Sequence, residues 1–234
     1  MNPTVQRAKS GQTKPGRARL RRAVNSVSEA SPCIEEISPS PVGTLCLPDE
    51  VLNVCARQGV EPTQFILVVL IARQQTALFE WVPPSAGEVR NYVLQNLLQC
   101  SSSKFGVGEQ EGSNRTPRGL HRIVEKIGAG LPVGTVFRGR KPVGLMAPGE
   151  TAAAITTRIL WLEGLEPGLN RCGSVDSHAR YIYIHGTGDE TALGRPDSHG
   201  CIHLAAVDLI PLFEKVPSGT LVWISENQPL AADR

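Results

Sequence analysis

Short apolar stretches separated by turn residues are the main pattern along this chain, and they predict β-strands. Residues 65–72 are apolar and rich in β-branched side chains without a break, which is typical of a buried strand. Residues 73–75 fit a turn and 76–82 a second strand, so a hairpin is predicted. Further strand-like patterns lie at 120–127, 153–162, 180–184 and 221–224. The segment 89–98 fits either a strand or a short helix.

Two segments have helical spacing instead. Residues 49–58 follow a proline and predict a short amphipathic helix that ends at Gly59. Residues 205–214 predict a second helix, whose inner face carries Leu209, Leu212 and Phe213. Many short strands with one or two short helices predict a mostly β fold, specifically an antiparallel β-sandwich.

Charge and composition divide the chain into segments. Residues 1–46 are rich in Arg, Ser and Pro, and the first 28 residues contain seven Arg or Lys and no carboxylate. This composition is typical of a disordered basic arm and linker, which could contact an anionic polymer or a membrane surface. The arm has no aromatic residue on which bases could stack, so no nucleic-acid partner is predicted. Residues 47–63 are predicted to pack as a short helix on a domain at 64–226, and 227–234 to form a tail.

The sequence predicts neither a membrane span nor a cofactor. No apolar region follows the basic start, so no signal peptide is visible. The longest apolar run, 65–72, is too short to cross a bilayer as a helix. The six cysteines include no C-x-x-C pair, which argues against a zinc ribbon or a thioredoxin-like site. If one cysteine is a nucleophile, five remain, so at least one of these should be free.

The segment Ser198-His199-Gly200-Cys201 carries the clearest chemical signal. A cysteine thiolate is a strong nucleophile, and a nearby imidazole can take the thiol proton. His185 lies sixteen residues earlier, at the end of the predicted strand 180–184, and the intervening loop can bring it to Cys201. Gly200 would let the backbone approach a substrate carbonyl and direct amide N–H groups at it. These residues predict thiol-based acyl transfer.

A longer pattern around these residues resembles the L,D-transpeptidase (YkuD-like) catalytic domain. That family has a strand ending in His-Gly-Thr, then Gly-x-Pro, Ser-His-Gly-Cys, a helix carrying Asp, and a final strand after Gly-Thr. The corresponding residues here are His185-Gly186-Thr187, Gly194-Arg195-Pro196, Ser198-His199-Gly200-Cys201, Asp208 and Gly219-Thr220. Residues 112–123 are similar to the family's upstream Thr-Pro-x-Gly-x-x-x-Ile segment. The resemblance runs from about Gln64 to Ser225 and implies the family's mostly β fold.

The resemblance also implies a role for individual residues. Cys201 would be the nucleophile and His185 the base, with the ring of His185 oriented by the backbone carbonyl of Gly186. The backbone amides of Gly200 and Cys201 would face the developing oxyanion. The full predicted catalytic set is Cys201, His185, Gly186, Ser198, His199 and Gly200. The residues predicted to contact substrate are His203, Thr187, Arg118 and Tyr183.

One position departs from the family pattern. His203 stands where the family usually has Arg or Asn. An Arg would supply a fixed charge that stabilises a thiolate or holds a substrate carboxylate, whereas His does so only when it is protonated. We therefore expect activity at alkaline pH to fall more steeply than in a His203→Arg variant.

The implied activity is that of a peptidoglycan cross-linking enzyme. Cys201 would attack the carbonyl group that precedes the terminal D-alanine of a stem peptide, forming a thioester and releasing D-alanine. The acyl group would then pass to an amine. With water as acceptor, the same site would be an L,D-carboxypeptidase. The family acts on the cell wall and is inhibited covalently by carbapenems, so stem peptides are the implied partners and the cell envelope or periplasm the implied location.

Two alternatives of other classes stay open. His199, Cys201 and His203 alternate, so in a regular strand they would share one side and could form a zinc site with His185. The chain could instead be a scaffold with a catalytically inactive site, in which the basic arm binds the cell wall.

Overall fold

The computed structural model describes residues 46–83, 91–147, 149–151 and 155–226. The predictions of a disordered arm and of a tail at 227–234 concern residues outside these ranges and stay predictions. Within the described ranges, no helix is both long enough and apolar enough to cross a membrane.

The described residues form ten strands and two α-helices. The helices are α1 (Asp49–Gln58) and α2 (Ala206–Lys215). The strands are β1 (Phe65–Leu70), β2 (Gln75–Val82), β3 (Asn91–Ser101), β4 (Gly119–Ile127), β5 (Thr135–Arg138), β6 (Lys141–Leu145), β7 (Ile155–Gly164), β8 (Tyr183–Thr187), β9 (Ile202–Leu204) and β10 (Leu221–Ser225). The prediction of a mostly β fold with two short helices is confirmed.

All ten strands belong to one sheet, in the order β4-β10-β1-β2-β3-β9-β8-β7-β5-β6. Because β4 also pairs with β7, the first eight strands of this order close into a ring, and the β5–β6 hairpin extends from β7. The sheet is not wholly antiparallel, since β1 pairs with β10 and β8 pairs with β9 in parallel. The second of these parallel pairs lies at the predicted site.

Strand β1 is apolar along its whole length because both of its faces are buried. Alternate residues of β1 join a core cluster with Leu209, Leu212 and Phe213 of α2. The other alternate residues join a second cluster with Val51 and Val54 of α1. Each helix therefore covers an apolar face of the sheet.

The bounds of α1 agree with the prediction, and Gly59 ends the helix in a left-handed conformation. The segment 89–98 is resolved as part of strand β3, from its described residue 91 onward. Strand β8 begins at Tyr183 rather than at residue 180, so His185 lies inside the strand and not after its end. Strands β5, β6 and β9 were not predicted. They have three to five residues, which is too short for a periodic signal.

A long connection between β7 and β8 is held to the ring by one buried amide side chain. The Nδ2 of Asn170 donates to the backbone carbonyls of Arg118 and Leu120, at 2.8 and 3.1 Å. Its Oδ1 accepts from the N–H of Glu166 at 2.9 Å. The backbone carbonyl of Asn170 also lies so close to Gly164 that a Cβ there would overlap it. Asn170 thus fixes the path of the segment that leads to Tyr181 and β8.

Replacing this amide should destabilise the domain. Asn170→Ala leaves the N–H of Glu166 and the carbonyl of Arg118 without these partners, whereas the carbonyl of Leu120 still accepts from the N–H of Leu165. Each unpaired group typically costs about 1–3 kcal/mol. We expect the free energy of unfolding in urea to fall by at least about 2 kcal/mol. Asn96→Ala, at an exposed position of β3, is the matched control and should change it by less than about 0.5 kcal/mol. Equal effects of the two substitutions would contradict the proposed anchoring.

Candidate active site

The parallel pairing of β8 with β9 brings the two predicted motifs together. Ile184 pairs with Ile202 and His185 with His203, and Cys201 immediately precedes β9. Ile184 and Ile202 are fully buried on one face of the two strands. Since side chains alternate along a strand, His185 and His203 lie on the opposite face, with their ring centroids 4.7 Å apart. Cys201 precedes His203 by two residues and lies on that same face.

The thiol of Cys201 is directed at a backbone carbonyl in the apo site. Its Sγ donates to the carbonyl of Tyr181 at 3.5 Å, and the half-buried side chain packs on a cluster that includes Trp161 and Tyr183. Burial raises the pKa of the thiol to about 11, although the backbone N–H of Tyr183 and the charge of Arg180 oppose the rise. The resting side chain is therefore a neutral thiol.

His185 is a neutral imidazole whose tautomer is fixed. Its Nδ1 donates to the carbonyl of Gly186 at 2.8 Å, so the other ring nitrogen, Nε2, is the proton acceptor. Burial, together with the proximity of His203, lowers the pKa of His185 to about 3. Gly186 has to be glycine, because a Cβ would lie 2.8 Å from the carbonyl oxygen of Thr156 on β7. The orientation expected from the resemblance is present in the structure.

No hydrogen bond joins the thiol of Cys201 to the ring of His185 within the described residues. The two groups face the same side of neighbouring strands, yet each is hydrogen-bonded to a backbone carbonyl. Catalytic hydrogen bonds are often loose without substrate and tighten in the reacting complex. The site therefore rests as a neutral thiol beside a neutral imidazole rather than as a thiolate–imidazolium pair.

The loop before Cys201 is held by backbone-directed hydrogen bonds. The buried Oγ of Ser198 donates to the carbonyl of Cys201 at 2.6 Å and accepts from the N–H of Gly200 at 3.2 Å. The prediction that the Gly200 amide faces the oxyanion is therefore wrong for this conformation. Gly200 has φ of +126°, a backbone conformation that side chains disfavour. Within the described residues the N–H of Cys201 has no hydrogen-bond acceptor, so it is the available donor.

The upstream motif reaches the same loop. Thr116, the threonine of the Thr-Pro segment, donates from Oγ1 to the carbonyl of Gly200 at 3.0 Å and accepts from the N–H of Ser103. Arg180 donates to the carbonyl of Arg115 at 2.7 Å, and that same oxygen would lie 3.3 Å from a Cβ on Gly200. The segment similar to the family's Thr-Pro motif thus contacts the backbone next to Cys201.

The other predicted residues occupy less central positions. His199 is exposed and packs its ring against Phe105, with the ring centroids 5.6 Å apart. Thr187 is buried and its Oγ1 accepts from the N–H of Asp189. Arg118 forms ion pairs with Glu109 and Glu226, so its charge is already neutralised. These three side chains are not brought into contact with Cys201.

His203 does not supply the charge considered for it. Burial lowers its pKa to about 4, with Asp197 opposing and His199 adding to the effect. A ring that is neutral above this pH gives no support to the expected contrast with His203→Arg at alkaline pH, and that contrast stays a prediction.

Two arginines near the thiol escaped the sequence analysis. Arg180 is half-buried, and its charge is close enough to Cys201 to influence the thiol. Arg140, at the turn between β5 and β6, donates to the hydroxyl of Tyr183 at 3.2 Å. Neither residue lies within the matched motifs, and no local pattern distinguishes them from solvated arginines.

The zinc alternative is not supported by the side-chain arrangement. In the described ranges, no group of three or more His, Cys, Asp or Glu side chains is placed to hold a metal ion. His199 turns outward to Phe105, whereas Cys201 is directed at Tyr181. Gly200 interrupts the regular strand that would have aligned these residues.

Fold and site together define a mostly β domain that places a cysteine and an oriented histidine on neighbouring strands. The family model described as the L,D-transpeptidase catalytic domain, YkuD, matches residues 65–224. The match covers more than half of the chain, and the chain belongs to this family. The family predicted from the sequence is confirmed.

Similar solved structures are L,D-transpeptidases of low sequence identity. One from Mycobacterium smegmatis is 14% identical, with 69% of this chain and 58% of that chain covered and a TM-score of 0.40. L,D-transpeptidase 3 from Mycobacterium tuberculosis, solved with a faropenem-derived adduct, is 17% identical, with coverages of 70% and 60% and a TM-score of 0.41. One from Xylanimonas cellulosilytica is 15% identical, with coverages of 76% and 70% and a TM-score of 0.42.

The chain spans about three fifths of the length of the first two of these structures. A comparison with curated protein sequences gave no match.

The neutral resting thiol can be tested by alkylation. We expect the rate of iodoacetamide modification at Cys201 to keep rising above pH 9, because burial raises its pKa to about 11. In urea-unfolded protein the same rate should level off near the ordinary thiol pKa of about 8.5. Mass spectrometry of the Cys201 peptide after short pulses separates it from the other cysteines. A plateau below pH 7 in the folded protein would instead indicate a thiolate–imidazolium pair.

Three imidazoles, two of them buried and one half-buried, should make the domain sensitive to acid. The pKa values of His121, His185 and His203 are lowered to about 4, 3 and 4, mainly by burial. Below about pH 6.5 these imidazoles become protonated in the unfolded chain but stay neutral in the folded chain. The free energy of unfolding therefore falls as pH falls. Each ring should contribute about 1.2 kcal/mol between pH 6 and pH 5.

Urea unfolding at pH 7, 6 and 5 measures this slope. His203→Asn should reduce it by one ring's contribution, whereas His199→Asn, at an exposed position, should leave it unchanged. A free energy of unfolding that stays constant from pH 7 to 5 would show that these rings are not held neutral.

Proposed function

We propose that this domain is a cysteine-dependent L,D-transpeptidase that acts on peptidoglycan stem peptides. The observation that carries the proposal is the placement of Cys201 and His185 on one face of neighbouring strands, with Nδ1 of His185 bonded to the Gly186 carbonyl. This hydrogen bond leaves Nε2 free to accept a proton. Membership of the L,D-transpeptidase catalytic-domain family supports the same reaction class.

The first half-reaction transfers the acyl group to sulfur. Nε2 of His185 takes the Sγ proton while Sγ of Cys201 bonds to the carbonyl carbon before the terminal D-alanine. Proton transfer and attack are coupled, because burial disfavours both the separate thiolate and the imidazolium. The carbon–nitrogen bond then breaks, and the imidazolium returns its proton to the D-alanine amine. A thioester and neutral His185 remain.

The second half-reaction releases the acyl group. An acceptor amine, in this family usually the side chain of a second diaminopimelate stem, attacks the thioester carbon. His185 takes the amine proton and gives it to the departing sulfur, which restores the thiol. Water in place of the amine gives L,D-carboxypeptidase activity from the same residues. The acceptor is therefore set by the substrate surroundings rather than by the cysteine–histidine pair.

Two groups support the developing negative charge in this proposal. The N–H of Cys201 is the backbone donor that is free of an acceptor within the described residues. Arg180 is a cation close to Cys201, and it replaces the charge that neutral His203 does not supply. Loss of one preorganised donor at an oxyanion typically reduces the rate about 10²–10³-fold. We propose that the substrate path is lined by Tyr183, Thr187, His199 and His203. We also propose that the protein acts in the cell envelope.

Mass spectrometry of muropeptides tests the function directly. Wild type incubated with tetrapeptide muropeptides should release D-alanine and form a cross-linked dimer, whereas a trimmed tripeptide alone would indicate the carboxypeptidase. Cys201→Ala should form neither product, and His185→Gln should be slower by about 10²–10⁴-fold. Cys172→Ala, at an exposed cysteine, is the matched control and should behave as wild type.

A carbapenem provides a second readout that needs no acceptor. It should add an acyl mass to the Cys201 peptide of wild type and none to Cys201→Ala. If wild type forms no product and no adduct but still binds wall fragments, the scaffold alternative is favoured. Full activity in Cys201→Ala would rule out the proposed nucleophile.

A further inference from the structure

The turn of the β5–β6 hairpin places an arginine in an unusual backbone conformation. Gly139 and Arg140 form this turn with φ values of +54° and +66°. Two left-handed residues are typical of a tight hairpin turn, but glycine, asparagine or aspartate usually occupy it. For arginine the left-handed conformation is unfavourable, so the surrounding contacts must offset its cost. The position of Arg140 is therefore set by its contacts.

The guanidinium of Arg140 lies on the aromatic residues that also surround the thiol. Its central carbon is 4.4 Å from the ring centroid of Trp161 and 5.0 Å from that of Tyr181. One of its terminal nitrogens donates to the hydroxyl of Tyr183 at 3.2 Å. Cys201 packs on the cluster of Trp161 and Tyr183, and its Sγ donates to the carbonyl of Tyr181. Arg140 and Cys201 are thus neighbours through shared contacts.

The charge of Arg140 is not neutralised by an ion pair within the described residues. The ion pairs there involve other cations: Arg57, Arg118, Arg122, Arg171 and Lys215. A guanidinium has five N–H donors, and Arg140 uses one of them on a side chain, that of Tyr183. Stacking on aromatic rings keeps the planar group oriented while its remaining donors stay available.

A planar cation with free donors is suited to a carboxylate. Arginine binds carboxylates through two parallel hydrogen bonds, which gives both geometric specificity and energy. Lysine cannot reproduce this arrangement. In the reaction proposed above, the residue that leaves the substrate carries a free carboxylate one residue beyond the carbonyl that Cys201 attacks.

We propose that Arg140 is a substrate-binding residue that recognises the free carboxylate of the acyl donor's terminal residue. The inference rests on the proposed function and narrows its substrate class to peptides with an unblocked carboxyl terminus. Because Arg140 stands on a hairpin outside the closed ring of strands, it holds the leaving residue without belonging to the cysteine–histidine pair.

A pair of donors tests this inference. We compare kcat/KM for D-alanine release from a free-acid tetrapeptide with kcat/KM for D-alaninamide release from its carboxyl-terminal amide. Wild type should prefer the acid by about 10–100-fold, the range typical of a charged hydrogen bond. Arg140→Gln should lose this preference through slower turnover of the acid, while turnover of the amide stays as in wild type. Arg140→Lys should restore only part of it.

Arg138→Gln is the matched control, since Arg138 is an exposed residue of the same hairpin. It should keep the wild-type preference. Retention of amide turnover in Arg140→Gln shows that the site is still folded, so loss of preference cannot be ascribed to collapse of the hairpin. An unchanged preference in Arg140→Gln, or an equal loss in Arg138→Gln, would overturn the assignment.

Binding separates failure of this inference from failure of the proposed function. Absence of D-alanine release and of a carbapenem adduct in wild type would refute the proposed reaction. Calorimetry with Cys201→Ala would still test Arg140, because it should bind the acid about 10–100-fold more tightly than the amide. Adding Arg140→Gln should equalise the two dissociation constants. Equal binding of both peptides, or binding of neither, to Cys201→Ala would overturn the role of Arg140.

Discussion

The parallel pairing of the short strand β9 with β8 is the constraint on which the site depends. Its register is held by burial on the far face, where Ile184, Ile202 and Leu204 lie in the main core. A slip of one residue would turn these side chains to the other face and bury His203 in their place. The proposed reacting groups are therefore positioned by apolar side chains on the opposite face of the two strands. This burial explains how a three-residue strand can hold the residue that precedes it, Cys201, in place.

The same burial determines the charge state of the site. Desolvation favours the neutral forms of the Cys201 thiol and of the His185 and His203 rings, so a thiolate–imidazolium pair at rest is disfavoured. Such a site is protected from indiscriminate thiol chemistry, since the thiolate is the reactive form. The cation whose charge acts on Cys201 is Arg180, from the segment before β8. Arg140 is held beside the same aromatic residues by the β5–β6 hairpin, where it contacts Tyr183, Trp161 and Tyr181.

The sequence predicts local features better than contacts between distant segments. The α1 helix followed from its period and from Gly59, and β1 from its unbroken apolar run. The motif residues could be chosen from their chemistry alone. Strand β9 could not be predicted, because three residues show no period and its partner strands are distant in sequence. The neutral state of His203 depends on burial, and the proximity of Arg140 depends on a hairpin turn, so neither has a local signal.

The upstream motif acts on the nucleophile through the backbone. Thr116 holds the carbonyl of Gly200, while Arg180 holds the carbonyl of Arg115 against the same glycine. Arg118, which was predicted to contact substrate, is paired with Glu109 and Glu226. The observed contacts of this segment with Gly200 are therefore structural, and substrate binding by Arg118 stays a prediction. The two motifs, some eighty residues apart in sequence, form one structural unit. The hydroxyl of Thr116 in the upstream motif donates to the carbonyl of Gly200 in the cysteine motif.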